Sequence, residues 1–330
     1  MKKALQGALA VLVVVFAAVW ILSLRAPAQE IPYGLSFSKL HSDELGLNWR
    51  EVYLALLDDL GVQHLRLSAH WPMVEPEDGV YDFSVLDYQM SEAAVRGADV
   101  ILAVGRRAPG WPECHTPEWA SALSPPERGV RQLAYMGAVI ERYKDAPNLR
   151  YWQVENEPYM NNFANSECGD LDEPFFKKEL ATVRSLDSDH SILVTDSGEF
   201  GKWYKARRAG DLFGTSMYLY VWYDPLGHIR YPIDAWFFRA KQNLFDLLEP
   251  KKTILIELGL EPWLNQPIKS AALDEQLKYM GMDKFREILD IARRSGFGEQ
   301  YLWGGEWWYY MGQNGHPEFW NAAKELYAEE

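Results

Sequence analysis

The chain has 330 residues and a net charge of −14. That length suits one large domain or two small ones, and the charge excludes a protein built around a basic stripe for nucleic acid. Aromatic residues make up 14%, with 14 tryptophans, more than a core alone requires.

Lys2 and Lys3 precede an uncharged apolar run from Ala8 to Leu24. The run is just long enough for a tilted membrane span. Its bulky end, Val19-Trp20-Ile21-Leu22, favours an uncleaved anchor. Ala26-Pro27-Ala28 also fits a small-residue cleavage site. The two lysines favour a cytoplasmic N-terminus. Residues 1–30 are therefore expected to be a membrane anchor or signal segment. Residues 31–330 follow as one catalytic domain outside the cytoplasm, held by a single-pass anchor or secreted.

From Ile31 onward, apolar strand-like runs alternate with amphipathic stretches. Strands are expected at 32–38, 62–68, 99–104, 151–155, 192–196, 212–218, 253–257 and 300–304. Helices are expected at 49–60, 85–96, 130–143, 175–185, 235–248, 274–295 and 317–328, with a weaker pattern at 201–208. Gly61, Gly97 and Gly296 stand where helices stop before strands. Eight such alternations predict an α/β fold, a (β/α)8 TIM barrel. No linker or repeat divides it.

In that fold the strand carboxyl ends face the site. The loops there are long and aromatic, carrying Trp111, Trp119, Trp222, Tyr223, Trp307 and Trp308. Cys114 and Cys168, the only cysteines, fall in loops at this same face. An oxidising compartment allows them to pair; the alternative is two free thiols. Strand four ends in Asn156-Glu157-Pro158, and Pro158 stops the pairing. Strand seven ends in Glu257, after Ile254-Leu255-Ile256. A carboxylate there is costly to bury without a partner or a task. Two carboxylates across one barrel mouth are what glycosidic bond cleavage needs. Alternation puts Glu155 on the same side as Glu157, one layer deeper, as a paired structural carboxylate. Glu261 rivals Glu257, but lies four residues past the strand and is less rigidly placed.

These residues resemble the clan-A glycoside hydrolases, a cellulase-like superfamily of retaining TIM-barrel enzymes. The resemblance covers roughly residues 31–325. It implies Glu157 as acid/base, Glu257 as nucleophile and Asn156 as donor to a sugar 2-hydroxyl. It further implies that Arg66 orients the nucleophile, Tyr218 hydrogen-bonds it, and Trp303 floors the −1 subsite. Arg66 and Tyr218 are then expected to keep Glu257 ionised, and its charge to keep the proton on Glu157. Trp71-Pro72-Met73-Val74-Glu75-Pro76 and Gly79-Val80-Tyr81-Asp82-Phe83 also fit a pattern common after the second strand of this clan. Ser216 departs from the pattern where cellulase-like members place a histidine. So does Gly105-Arg106-Arg107, with His115 only further on. These departures argue against the familiar cellulase and mannanase specificities.

His70, Arg106, Trp222 and Trp307 complete the expected substrate-binding set, and the adjacent Arg106 and Arg107 hint at a charged sugar. Lys39 and His41 are further candidates for hydroxyls or an acidic group. No metal-ligand spacing, phosphate loop or cofactor motif appears. The expected activity is a retaining β-glycosidase acting on a polysaccharide or oligosaccharide, as a monomer without cofactor. A transglycosylase remodelling surface glycans, a non-catalytic glycan-binding barrel and a metal-dependent hydrolase are the alternatives.

Overall fold

A computed structural model of the protein describes residues 17–24, 30–110, 112–160 and 168–328. Its centre is a closed barrel of eight parallel strands. They are β1 (Tyr33–Ser36), β2 (His64–Ser68), β3 (Asp99–Val104), β4 (Leu149–Val154), β5 (Ser191–Asp196), β6 (Leu212–Met217), β9 (Thr253–Gly259) and β10 (Gln300–Trp303). β1 pairs with both β2 and β10, which closes the ring. An antiparallel hairpin, β7 (Tyr220–Tyr223) with β8 (Gly227–Arg230), follows β6. The sequence was read there as a plain loop, because the two short arms carry no alternating pattern.

The strands are buried on both faces, so they read as nearly continuous apolar runs. One cluster fills the barrel centre: Ile101, Leu193, Leu212, Ile254, Ile256 and Tyr301, with Tyr151 against it. A larger cluster packs the outer strand faces under the helices. Those helices include α1 (Trp49–Asp58), α2 (Pro125–Tyr143), α3 (Glu173–Leu186), α4 (Ala235–Leu248) and α5 (Met282–Ser295). α1 begins where Asn48 accepts the Arg50 N–H, and it buries Trp49, Val52, Tyr53, Leu56 and Leu57 along one stripe. α2 starts five residues earlier than its apolar pattern suggests, because Ser124 and Glu127 form a capping box ahead of two prolines. The expected helix 274–295 is two helices, Leu273–Tyr279 and α5, separated at Met280 and Gly281.

Two local departures from strand alternation aim the carboxylates. Against β6, Leu255 pairs with Thr215 but Glu257 pairs with Ser216, so Ile256 is an extra residue. The same slip appears against β10. This bulge lets Ile256 and Glu257 both face the barrel interior, where strict alternation would send Glu257 outward. At the end of β4, Glu155 and Glu157 adopt left-handed φ values of 58° and 45°. Such conformations cost on the order of 1–3 kcal/mol each and persist only where neighbours fix them. Here Glu155 N–H donates to Val104 O, Asn156 N–H to Arg107 O and Glu157 N–H to Thr195 Oγ1, the last at 2.7 Å.

Residues 8–16 of the apolar run lie outside the described residues, as do Ala26-Pro27-Ala28 and Trp111. The end of the run lies against α4, where Arg239 Nε donates to Ser23 O at 2.7 Å and Asn243 donates to Leu22 O. Among the described residues, no helix is long and apolar enough to cross a membrane.

Cys114 and Cys168 form a disulfide that joins the loops after β3 and β4 across 54 residues of sequence. Closing a loop of that size stabilises a fold by about 2–4 kcal/mol. A Cys114→Ser/Cys168→Ser variant is therefore expected to unfold at lower denaturant. An unchanged midpoint would show that the cross-link adds nothing.

Candidate active site

Arg66 in β2 is 1% exposed and occupies the centre of the barrel mouth. Its Nε donates to Gln153 Oε1 at 2.8 Å, and its Nη2 to Asn156 Oδ1 at 2.8 Å. Its Nη1 lies 2.5 Å from Glu257 Oε2 and also reaches Ser36 Oγ and Ile256 O at 3.4 Å. A buried guanidinium demands such a set of acceptors. The other Glu257 oxygen, Oε1, accepts Tyr218 Oη at 2.5 Å. Tyr218 stands one residue past β6 and packs edge-on against Trp263 at 5.0 Å. Gly259 makes room for that ring: a Cβ there would lie 2.3 Å from Tyr218 Cδ1.

Glu157 is buried beside β5 and β6. Ser216 Oγ donates to its Oε1 at 2.7 Å. Burial pushes its pKa well above the usual carboxylate range, and the charges of Glu113 and Glu257 add to this. The Ser216 hydrogen bond opposes the rise, and Asp196 reinforces it. Asn156 Oδ1 is held by Arg66 and by Gln153 Nε2 at 3.2 Å.

The expected rival, Glu261, has other partners. Its Oε1 accepts Trp303 Nε1 at 2.7 Å, and its Oε2 lies 2.8 Å from His41 Nε2. Arg66 and Tyr218 converge on Glu257 instead. Trp303 ends β10 at the mouth and is 8% exposed.

Glu155 does not share the side of Glu157. Its left-handed turn sends the carboxylate to the helix layer. There it accepts the N–H groups of Arg106 and Arg107 at 2.8 and 2.7 Å, and Gln132 Nε2 at 3.0 Å. Gly105 permits the approach, since a Cβ would meet Glu155 Oε1 at 2.4 Å. The expected role, a paired structural carboxylate, fits this placement.

Two other expected substrate contacts, Trp307 and Arg106, stand elsewhere. Trp307 is fully buried, donates to Gln276 Oε1 at 2.8 Å and packs on Phe319, so it is core. His70 is 2% exposed, with its ring 4.4 Å from that of His115 and its Nε2 3.5 Å from Pro109 O. Arg106 turns outward and donates to Cys168 O at 2.6 Å. It lines a cavity of about 640 Å3 with Arg128, Gln132, Lys178 and Glu179, away from Glu157 and Glu257. Arg107 is taken up by Glu113 Oε2 at 2.9 Å and Met160 O at 2.9 Å. Of this arginine pair, Arg107 is engaged by the protein, while Arg106 faces the separate cavity and not the two glutamates. Trp222 is partly exposed on the hairpin, with its N–H on Asp224 Oδ1 at 3.0 Å.

Sequence reasoning missed Gln153, Glu113 and the pairing of His41 with Glu261. Gln153 alternates inward with Tyr151, and that signal was available. Glu113 sits in a loop at a left-handed φ of 67°, and no periodicity announces it.

Comparisons with known proteins find relatives for part of the chain and structural neighbours for its barrel. The glycoside hydrolase family 42 model, described as β-galactosidase, matches residues 48–127. The β-galactosidase BgaA of Clostridium cellulovorans is 24% identical over 168 residues, 45% of this chain and 25% of that protein. A β-galactosidase of Arthrobacter sp. is 28% identical over 155 residues, 41% of this chain and 22% of that protein. The match thus spans about a quarter of the length of these curated relatives. Among solved structures, a cold-adapted β-galactosidase from Rahnella sp. R3 superposes with a TM-score of 0.56 at 14% identity, over 84% of this chain and 51% of that one. A GH5_18 protein from Bifidobacterium longum gives 0.58 at 13% identity, over 83% and 70%. Xylanase10C from Cellvibrio japonicus gives 0.54 at 16% identity, over 84% and 59%. The likenesses to solved structures show the TIM-barrel fold, and residues 48–127 carry the likeness to the family 42 glycoside hydrolases.

Proposed function

We propose that the protein is a retaining β-glycosidase that cleaves O-glycosidic bonds of an oligosaccharide or polysaccharide. The observation that carries this reading is the contrast between the two glutamates. Both are buried, but burial and neighbouring carboxylates raise the pKa of Glu157, while Glu257 is gripped by a guanidinium and a phenol. In the first step the Glu157 carboxyl gives its proton to the glycosidic oxygen as the C1–O bond breaks. A Glu257 oxygen bonds to C1, forming a glycosyl ester. The negative charge of Glu257 is then gone, and the Glu157 carboxylate takes a proton from water. That water's oxygen attacks C1 and the ester bond breaks, restoring both groups. Asn156, fixed by Arg66 and Gln153, is positioned for the sugar 2-hydroxyl, and Trp303 offers its face to the ring. The β-galactosidase relatives make a β-galactoside the first substrate to try. The apolar run 8–24 and the disulfide support a site outside the cytoplasm, with the barrel anchored or secreted.

Proton NMR of the first-formed sugar tests the reading: a β-glycoside should release the β-anomer before mutarotation, and α-anomer first would overturn it. Glu157→Gln should lower kcat by about 10²–10⁴-fold for poor leaving groups and much less for a dinitrophenyl glycoside. Equal losses for both would remove the acid role.

The pH dependence has a definite sign. Activity needs protonated Glu157, so its raised pKa extends activity above the ordinary carboxyl range, and activity falls as pH rises through that value. Ser216→Ala removes a hydrogen bond that favours the charged form, so the alkaline limb of kcat/KM should move to higher pH. A shift to lower pH would contradict the assignment. Gly259→Ala should displace Tyr218 and cost roughly 10–100-fold in kcat with the fold intact. Unchanged kcat would mean that the phenol contact to Glu257 is dispensable.

A further inference from the structure

Beside the catalytic pair lies a second polar group that the proposed chemistry does not use. Glu261 follows β9, His41 follows β1, and Trp303 ends β10. Each Glu261 oxygen has one protein donor, Trp303 Nε1 at 2.7 Å and His41 Nε2 at 2.8 Å. A carboxylate has about four acceptor positions, so two remain. The Glu261 side chain is 12% exposed, as is that of Glu257. His41 has no spare donor: its Nδ1 faces Glu44 Oε2 at 3.4 Å. Burial opposes a charge on this imidazole, but Glu261, Glu44 and Glu306 outweigh it and hold its pKa well above the usual value. Glu306, 1% exposed, accepts the Ser38 N–H at 2.6 Å and braces the His41 turn from below. A carboxylate fixed on two sides and open on the rest is a rigid hydroxyl acceptor. It lies at the edge of the indole that would stack on the sugar.

We propose that Glu261 reads the hydroxyls of a neutral glycone stacked on Trp303, with His41 as the positioning residue that fixes its carboxylate. This rests on the reading of the barrel mouth as a glycosidase site, and it adds the class of sugar. Glu261 and Glu257 both present negative charge to the mouth, while Arg106 and Arg107 are engaged elsewhere. Arg66 and His41 balance those two charges, so a uronate finds no surplus cation to receive it. A neutral hexosyl or pentosyl unit meets an acceptor at a fixed distance from C1.

The test uses p-nitrophenyl β-glycosides of galactose, glucose, xylose and glucuronic acid, together with monodeoxy versions of the preferred sugar. Wild type, Glu261→Gln and His41→Gln are compared after thermal melts establish that each is folded. Wild type should reject the uronide and lose on the order of 10²-fold or more in kcat/KM when the hydroxyl read by Glu261 is missing. Both variants should lose activity on the parent sugar yet treat parent and deoxy sugar nearly alike. A merely structural role would lower both equally and leave the ratio unchanged, which would overturn the proposal. The same sugars are titrated calorimetrically into a Glu157→Gln background, where turnover is suppressed. Binding that follows the same hydroxyl rule without hydrolysis by wild type would sustain Glu261 as reader and sink the glycosidase reading. Hydrolysis with an unchanged deoxy ratio would sink the reader and keep the glycosidase. No binding and no turnover would sink both.

Discussion

The buried guanidinium of Arg66 is the constraint on which the site is built. A charge with 1% exposure in a barrel lined by apolar chains must be matched on every N–H. Its acceptors come from β1, β4 and β9 and from the turn after β4. One side chain therefore ties the nucleophile candidate to the amide beside the acid candidate. Removing it would leave Glu257 with the Tyr218 phenol but no counter-charge, and would free Asn156 to rotate. The same interaction explains why β9 carries a bulge. Only an extra residue at Ile256 turns Glu257 inward to meet Arg66.

The two catalytic candidates differ in environment rather than in chemistry. Glu157 is surrounded by carboxylates and one hydroxyl, and burial keeps its proton on. Glu257 has a cation and a phenol, each within hydrogen-bond distance of a different oxygen. Identical side chains are thus driven toward opposite roles by what touches them. The strained turn at Glu155 and Glu157 belongs to the same arrangement. It sends one carboxylate to the helices, where Gln132 and two backbone N–H groups donate to it, and leaves the other at the mouth.

The barrel was legible because doubly covered strands are apolar throughout and amphipathic helices separate them. Glu157, Glu257, Arg66, Asn156, Tyr218 and Trp303 were legible because each stands in or beside a recognisable strand. The rest failed for identifiable reasons. The bulge at Ile256 and the left-handed residues at Glu155 and Glu157 break the period-two rule, and no local pattern encodes either. Trp307 was drawn to the site by position after a strand, but the helix that follows β10 carries it into the core. Arg106 was aimed at substrate on charge alone, and it bonds to a carbonyl of the disulfide-linked loop instead. The pairing of His41 with Glu261 joins residues far apart in sequence, and Glu113 sits in a loop without periodicity, so single-sequence reasoning reaches neither.

The central claim is that Glu257, not its neighbour Glu261, bonds to the sugar. Incubation with activated 2-deoxy-2-fluoro β-glycosides should trap the ester, and peptide mass spectrometry should find the label on Glu257. Label on Glu261, or time-dependent inactivation with no labelled carboxylate at all, would contradict the account.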